Sequence, residues 1–85
     1  MRIAGVRVNP PAVRLLAQIM DDAGYPATAA TLRQGIELKA LEPALTLEDH
    51  EAMLLALGDH CPTSLTRLRR ELLEDDMERR LAGGT

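Results

Sequence analysis

The stretch LGDHCPTSLTRLRR, residues 57–70, brings a carboxylate, an imidazole, the only thiol, hydroxyls and three arginines into fourteen positions. Two chemistries use such a set. A zinc site wants about four ligands around one point, so Asp59, His60 and Cys61 need help from the upstream EDHE segment, Glu48 to Glu51. His50 falls near the start of an expected helix and His60 beyond its end, ~12 Å or more away at ~1.5 Å per residue. Three consecutive side chains also diverge. A thiol nucleophile needs a base in hydrogen-bond reach and a group that orients the base. His60 is adjacent to Cys61 and points elsewhere, although a helix N-terminus there favours modest thiol reactivity. A structural reading satisfies every residue instead. Gly58 ends one helix, Asp59 and His60 form a polar turn, Pro62 suits the first turn of the next helix, and Thr63 or Ser64 caps it. No catalytic, cofactor-binding or metal-ligating residue is therefore assigned, and neither an enzymatic activity nor a cofactor is expected.

The elements that carry these residues are helical. Eighty-five residues make one small domain, and the 46% apolar content contains one aromatic, Tyr25, with no Trp or Phe. A core of Leu, Ala, Val, Ile and Met on good helix formers favours an all-α fold over a β-sandwich. The single Cys61 excludes an internal disulfide, and MRIAGVRVNPP lacks the apolar run of a signal peptide, so a cytoplasmic location is expected. No run approaches the ~18 apolar residues of a membrane span, and no membrane partner is expected.

Residues 1–9 fit a short extended or disordered arm, residues 10–81 a single helical domain, and residues 82–85 a flexible tail. Asn9 before Pro10 and Pro11 starts the first helix, by capping free N–H groups and by the fit of proline to a first turn. Ala12, Val13, Leu15, Leu16, Ile19, Met20 and Ala23 make one broad apolar face. Gly24 at the expected left-handed position and Pro26 close that helix near Ala23. The second helix is expected over Ala27 to Leu41, ending at Glu42 and Pro43. Gly35 in its middle costs ~1 kcal/mol relative to Ala. Thr46, followed by Glu48 and Asp49, opens a third helix over Leu47–Leu57. A fourth begins near Pro62 to Ser64 and runs to about Leu81, with Leu65, Leu68, Leu72 and Leu73 as its buried stripe. Four helices joined by short turns make a compact four-helix bundle or an orthogonal helical array.

The charge is uneven. Residues 1–42 carry five basic and four acidic groups, residues 43–85 five and nine. Neither half resembles a phosphate-neutralising surface, the main source of nucleic-acid affinity. The first two helices have the outline of a helix-turn-helix that would present Thr28, Thr31 and Gln34 to a DNA groove. Only Arg33 and Lys39 add positive charge there, with Asp21 and Asp22 at the approach, so DNA regulation is the alternative and nucleic acid is not the expected partner.

Ser64–Leu65 resembles the prosthetic-group site of acyl carrier proteins over two residues, but Thr63 replaces that family's Asp and the following Arg67, Arg69 and Arg70 oppose its acidic helix. The segments LTLEDHEAMLLAL and SLTRLRRELL, within residues 46–73, together with nine Arg among ten basic residues, resemble short uncharacterised helical proteins of high-GC actinobacteria and their phages. That resemblance implies a small helical fold and no activity.

The expected function is a small non-enzymatic helical protein–protein interaction module: an adaptor, regulatory subunit or inhibitor with a protein partner. Along the second helix Leu38 lies ~180° and Leu41 ~120° from Ala29, away from the stripe of Ala29, Leu32, Ile36 and Ala40. Leu45 extends that patch, and Leu38, Leu41 and Leu45 are the candidate interaction surface. Either a symmetric homodimer covers it or the fourth helix folds across it within one chain.

Overall fold

The Asn9 side chain accepts the backbone N–H of Ala12 at 3.1 Å, which fixes the start of the first helix where the two prolines cannot donate. The computed structural model describes residues 1–83. A hairpin of β1 (Arg2–Ile3) and β2 (Val6–Arg7) comes first. The helices α1 (Pro10–Asp22), α2 (Pro26–Glu37), α3 (Leu47–Leu57) and α4 (Thr66–Gly83) follow, with single 3-10 turns at Gly58–His60 and Thr63–Leu65. The fold is an all-α array of four helices packed on one another, with the hairpin as its one strand element among the described residues. α1 packs on α2 and α3, α3 packs on α4, and β2 lies against α4.

The first nine residues, expected as an extended or disordered arm, are extended and built into the core. Arg2 pairs with Arg7 and Ile3 with Val6, and Val8 N–H donates to the Met1 carbonyl at 2.8 Å to lengthen the ladder. Ala4 and Gly5, at φ 51° and 79°, form the two-residue turn whose double positive φ matches strand twist. This geometry turns Ile3, Val6 and Val8 inward, where all three are buried, and leaves Arg2 and Arg7 side by side on the outer face.

The core is aliphatic throughout. Val13, Leu16 and Met20 of α1, Leu32 of α2, Met53 and Leu57 of α3, and Leu65, Leu68 and Leu72 around α4 are closed to solvent. Leu15, expected on the buried face of α1, is exposed because it sits ~100° around the helix from Leu16. Leu73, expected in the stripe of α4, is likewise exposed at 38%. Past Leu72, α4 buries no side chain, and it runs two residues beyond Leu81. Ala82 and Gly83, expected in a flexible tail, are thus helical, while Gly84 and Thr85 lie outside the described residues. The cap expected from Thr63 or Ser64 is absent. No side-chain hydrogen bond caps that turn, and Thr66 Oγ1 instead donates to the Pro62 carbonyl at 3.4 Å.

Two helices close in the same way. At the end of α1, Gly24 N–H donates to the Asp21 carbonyl and Tyr25 N–H to that of Met20, a Schellman motif with Gly24 at φ 90°. At the end of α2, Lys39 N–H reaches Ile36 and Ala40 N–H reaches Gly35, the same motif with Lys39 at φ 52° in the left-handed position. The second helix therefore stops at Glu37, four residues short of the expected Leu41. The early stop lets the chain double back so that Arg2 N–H donates to the Leu41 carbonyl at 2.7 Å and Pro43 packs over Gly35. A Cβ on Gly35 would meet the Met1 Cε at 3.0 Å and the Pro43 Cβ at 3.4 Å, so the mid-helix glycine marks a close approach. Lysine in a left-handed backbone is unfavourable relative to glycine. Lys39→Gly is expected to raise the unfolding free energy by about 1 kcal/mol in a urea melt.

Candidate functional site

The polar stretch at residues 57–70 does not converge. Asp59 and His60 are exposed on their 3-10 turn, and His50, half-buried, faces a different cleft beside Arg2, Ile3 and Glu42. Among the described residues no three His, Cys, Asp or Glu side chains come together in a way that could hold a metal ion. Burial pushes the Cys61 thiol above its ordinary pKa, against smaller opposing pulls from the Arg69 charge and the Thr66 hydroxyl. Its Sγ donates to the Pro62 carbonyl at 3.4 Å. A protonated thiol in that setting is a packing group and a weak donor, not a thiolate. Of the nearby arginines, Arg67 and Arg70 are exposed, while Arg69 is half-buried with its Nε unpartnered.

The residues proposed to read DNA are dispersed as well. Thr28 is 4% exposed, the one buried polar side chain among the described residues, and its hydroxyl donates to Asp49 Oδ1 at 2.5 Å. Asp49 also accepts the Thr46 N–H at 2.9 Å and donates its own N–H to the Thr46 hydroxyl, a capping box that starts α3. Burial pushes the Asp49 pKa up. The Thr28 hydroxyl, the Thr46 backbone and hydroxyl, and the His50 charge together outweigh it and hold the carboxyl below its ordinary value. Thr31 donates to the Ala27 carbonyl, and Arg33 is engaged by Asp21 across α1 and α2. Of the four polar side chains on that face, Gln34 alone stands without an intramolecular bond among the described residues.

What remains as a distinct surface is the turn after α2. Leu38 is 70% and Leu41 87% exposed. Leu41 borders two adjoining clefts, one with Met1, Arg2, Arg7 and Glu42, the other with Pro10, Ile36, Lys39 and Ala40. Leu45 is half-buried against the core, its N–H donating to the Pro43 carbonyl at 2.9 Å, and it lines the cleft of His50, which shares Arg2 and Glu42 with the first cleft of Leu41. The angular argument for Leu38 and Leu41 assumed a helix through both. In the structure Leu38 caps the helix and Leu41 lies beyond it, and the two are exposed through the turn. The apolar floor of Met1 and Ile36 was hidden from the sequence, because it joins residues thirty-five positions apart.

Leu47 and Leu55 of α3, and Met77 and Leu81 of α4, are further exposed apolar side chains. Among the described residues no helix is long and apolar enough to cross a membrane. Comparison with known protein families, with curated proteins and with solved structures finds no match.

Proposed function

We propose that this chain is a non-enzymatic protein–protein interaction module, an adaptor, regulatory subunit or inhibitor, that engages its partner through the surface around Leu38 and Leu41. The observation that carries this reading is the exposure of those two leucines on the turn after α2, where Leu41 borders clefts with apolar walls. An isolated exposed leucine needs no explanation. Two on one turn, with an apolar floor beside Leu41, offer a partner ~2 kcal/mol for each side chain it buries. The turn is held by the Arg2–Leu41 and Schellman hydrogen bonds, so little ordering opposes docking.

Affinity capture with wild type and Leu38→Glu/Leu41→Glu tests the reading. A protein retained by wild type and lost from the double variant is the expected result, with both melting within ~0.5 kcal/mol because the sites are solvent-facing. Equal retention by both would remove the surface from the proposal. DNA recognition by α2, the alternative, draws no support from a buried Thr28 and an engaged Arg33. No retention on duplex DNA is expected even at ~50 mM salt, where phosphate contacts are strongest.

A further inference from the structure

A third cleft continues the surface at Leu41. It is bounded by Arg14, Arg33 and Glu37 and shares Ile36 with the cleft of Lys39 and Ala40. The three clefts adjoin through Ile36, Met1 and Leu41 along α2 and the hairpin, and together they are taken as one groove. All five basic residues of positions 1–42, Arg2, Arg7, Arg14, Arg33 and Lys39, border it, and all are exposed. Two carboxylates, Glu37 and Glu42, stand among them, and Arg33 is already paired with Asp21.

The complementary surface lies on the same chain. Leu73, Met77 and Leu81 of α4 recur at four-residue spacing and are 38%, 54% and 75% exposed. At 100° per residue they lie at 0°, about 40° and about 80°, roughly opposite the buried Leu68 and Leu72, with Glu74 and Glu78 along one edge at about 100° and 140°. The stripe spans about 12 Å. α4 is thus apolar on two faces, and one copy of the chain covers only one of them.

We propose that the groove receives the Leu73–Leu81 face of α4 from a second copy of this chain, with Glu74 and Glu78 meeting Arg2 and Arg7. Each copy carries both surfaces, and in the proposed dimer the exchange closes about a two-fold axis, the commonest symmetry of homo-oligomers, whereas an exchange that did not close would grow open chains that light scattering distinguishes from a dimer. The Leu73–Leu81 segment, with four carboxylates to two arginines, suits both parts of the groove, its apolar side chains filling the floor and Glu74 and Glu78 the rim. A phosphate surface satisfies neither, since Glu37 and Glu42 repel it and the floor offers it nothing. The inference deepens the interaction-module reading and rests on it.

Light scattering over a concentration series, with a charge exchange, tests it. Wild type is expected to be a dimer that weakens with added salt, as screened ion pairs require. Arg2→Glu/Arg7→Glu and Glu74→Arg/Glu78→Arg are each expected to weaken self-association by about tenfold or more. Their equimolar mixture regains the dimer, because the reversed groove of one variant meets the reversed helix of the other, while the second contact joins an unchanged groove to an unchanged helix. A wild type that stays monomeric overturns the proposal, as does a double variant that dimerises like wild type or a mixture of folded variants that stays monomeric. The salt series on wild type needs no variant to fold, and a dimer indifferent to salt also counts against it. If monomeric wild type binds vesicles of phosphatidylserine and phosphatidylcholine, the groove is a lipid surface and the second copy is excluded. A monomer that still loses a captured protein on Leu38→Glu/Leu41→Glu overturns the second copy alone. Failure of both experiments removes the interaction module too.

Discussion

Ile3→Ala lowers the unfolding free energy by about 2–5 kcal/mol in a urea melt, the range for emptying a closed aliphatic site. A chain lacking residues 1–8 shows no cooperative transition at all. Ile3, Val6 and Val8 are all buried, and β2 lies against α4. A two-stranded hairpin is marginal by itself, so its ladder persists because it holds those side chains in the core, and the core persists because they fill it. Each contributes roughly 1.5–3 kcal/mol on burial, while the whole of a small domain is stable by only about 5–15 kcal/mol. Losing all three takes a large part of that margin. Arg7→Ala, on the outer face of the same hairpin, is expected to change stability by less than ~0.5 kcal/mol. An Ile3→Ala variant that melts with wild type would mean the hairpin is an appendage and not part of the core.

The second large effect is expected at the junction of α2 and α3. Thr28→Val keeps the shape of the side chain and removes the donor to Asp49, at a cost of about 1.5–3 kcal/mol for a hydrogen bond to a charged group. Thr31→Val, whose hydroxyl bonds only its own helix at the Ala27 carbonyl, serves as the near-neutral control. The junction also sets an acid response. The Asp49 carboxyl in the folded chain titrates below the ordinary 3.8, so its bonds contribute in full above that pH and are lost as the pH falls through the folded value. Stability therefore drops below about pH 4, and the drop is smaller in Thr28→Val, whose Asp49 has lost the hydroxyl that most lowers its pKa. Urea melts from pH 2 to 7 on both proteins check this. Parallel curves would show that Asp49 plays no part in the acid response.

The helices that begin with strong local chemistry were legible in the sequence. Asn9 with two prolines marks α1, and Thr46 with its acidic first turn marks α3, whose bounds at Leu47 and Leu57 are those expected. In both, the cap is written within four residues of the start. The end of α2 was not legible, because its left-handed position is held by Lys39 where glycine is usual. What fixes it is tertiary: the Leu41 carbonyl must meet Arg2 N–H, and Pro43 must reach Gly35. The hairpin carried a signal that strand length obscured, since Ile3 and Val6 flank a two-residue turn but each strand is only two residues long. The candidate surface was legible in part. Leu38 and Leu41 are exposed, whereas Leu45 turns into the core after Pro43. The groove beside them is assembled from Met1, Arg2 and Ile36, and no local pattern announces it.

The contact between β2 and α4 bears on how this chain is made. Translation adds roughly 5–20 residues per second, and the partner of β2 lies roughly sixty residues downstream. Val6 and its neighbours therefore leave the ribosome some 3 to 12 seconds before the helix that shelters them exists. α1 and α2 can pair as soon as both have emerged, but β2 still lacks its α4 partner. Ile3, Val6 and Val8 thus stay unsheltered by α4 until that helix has been made. The hairpin's place in the core is completed only then, and a holdase that binds extended aliphatic segments has that interval in which to meet Ile3, Val6 and Val8.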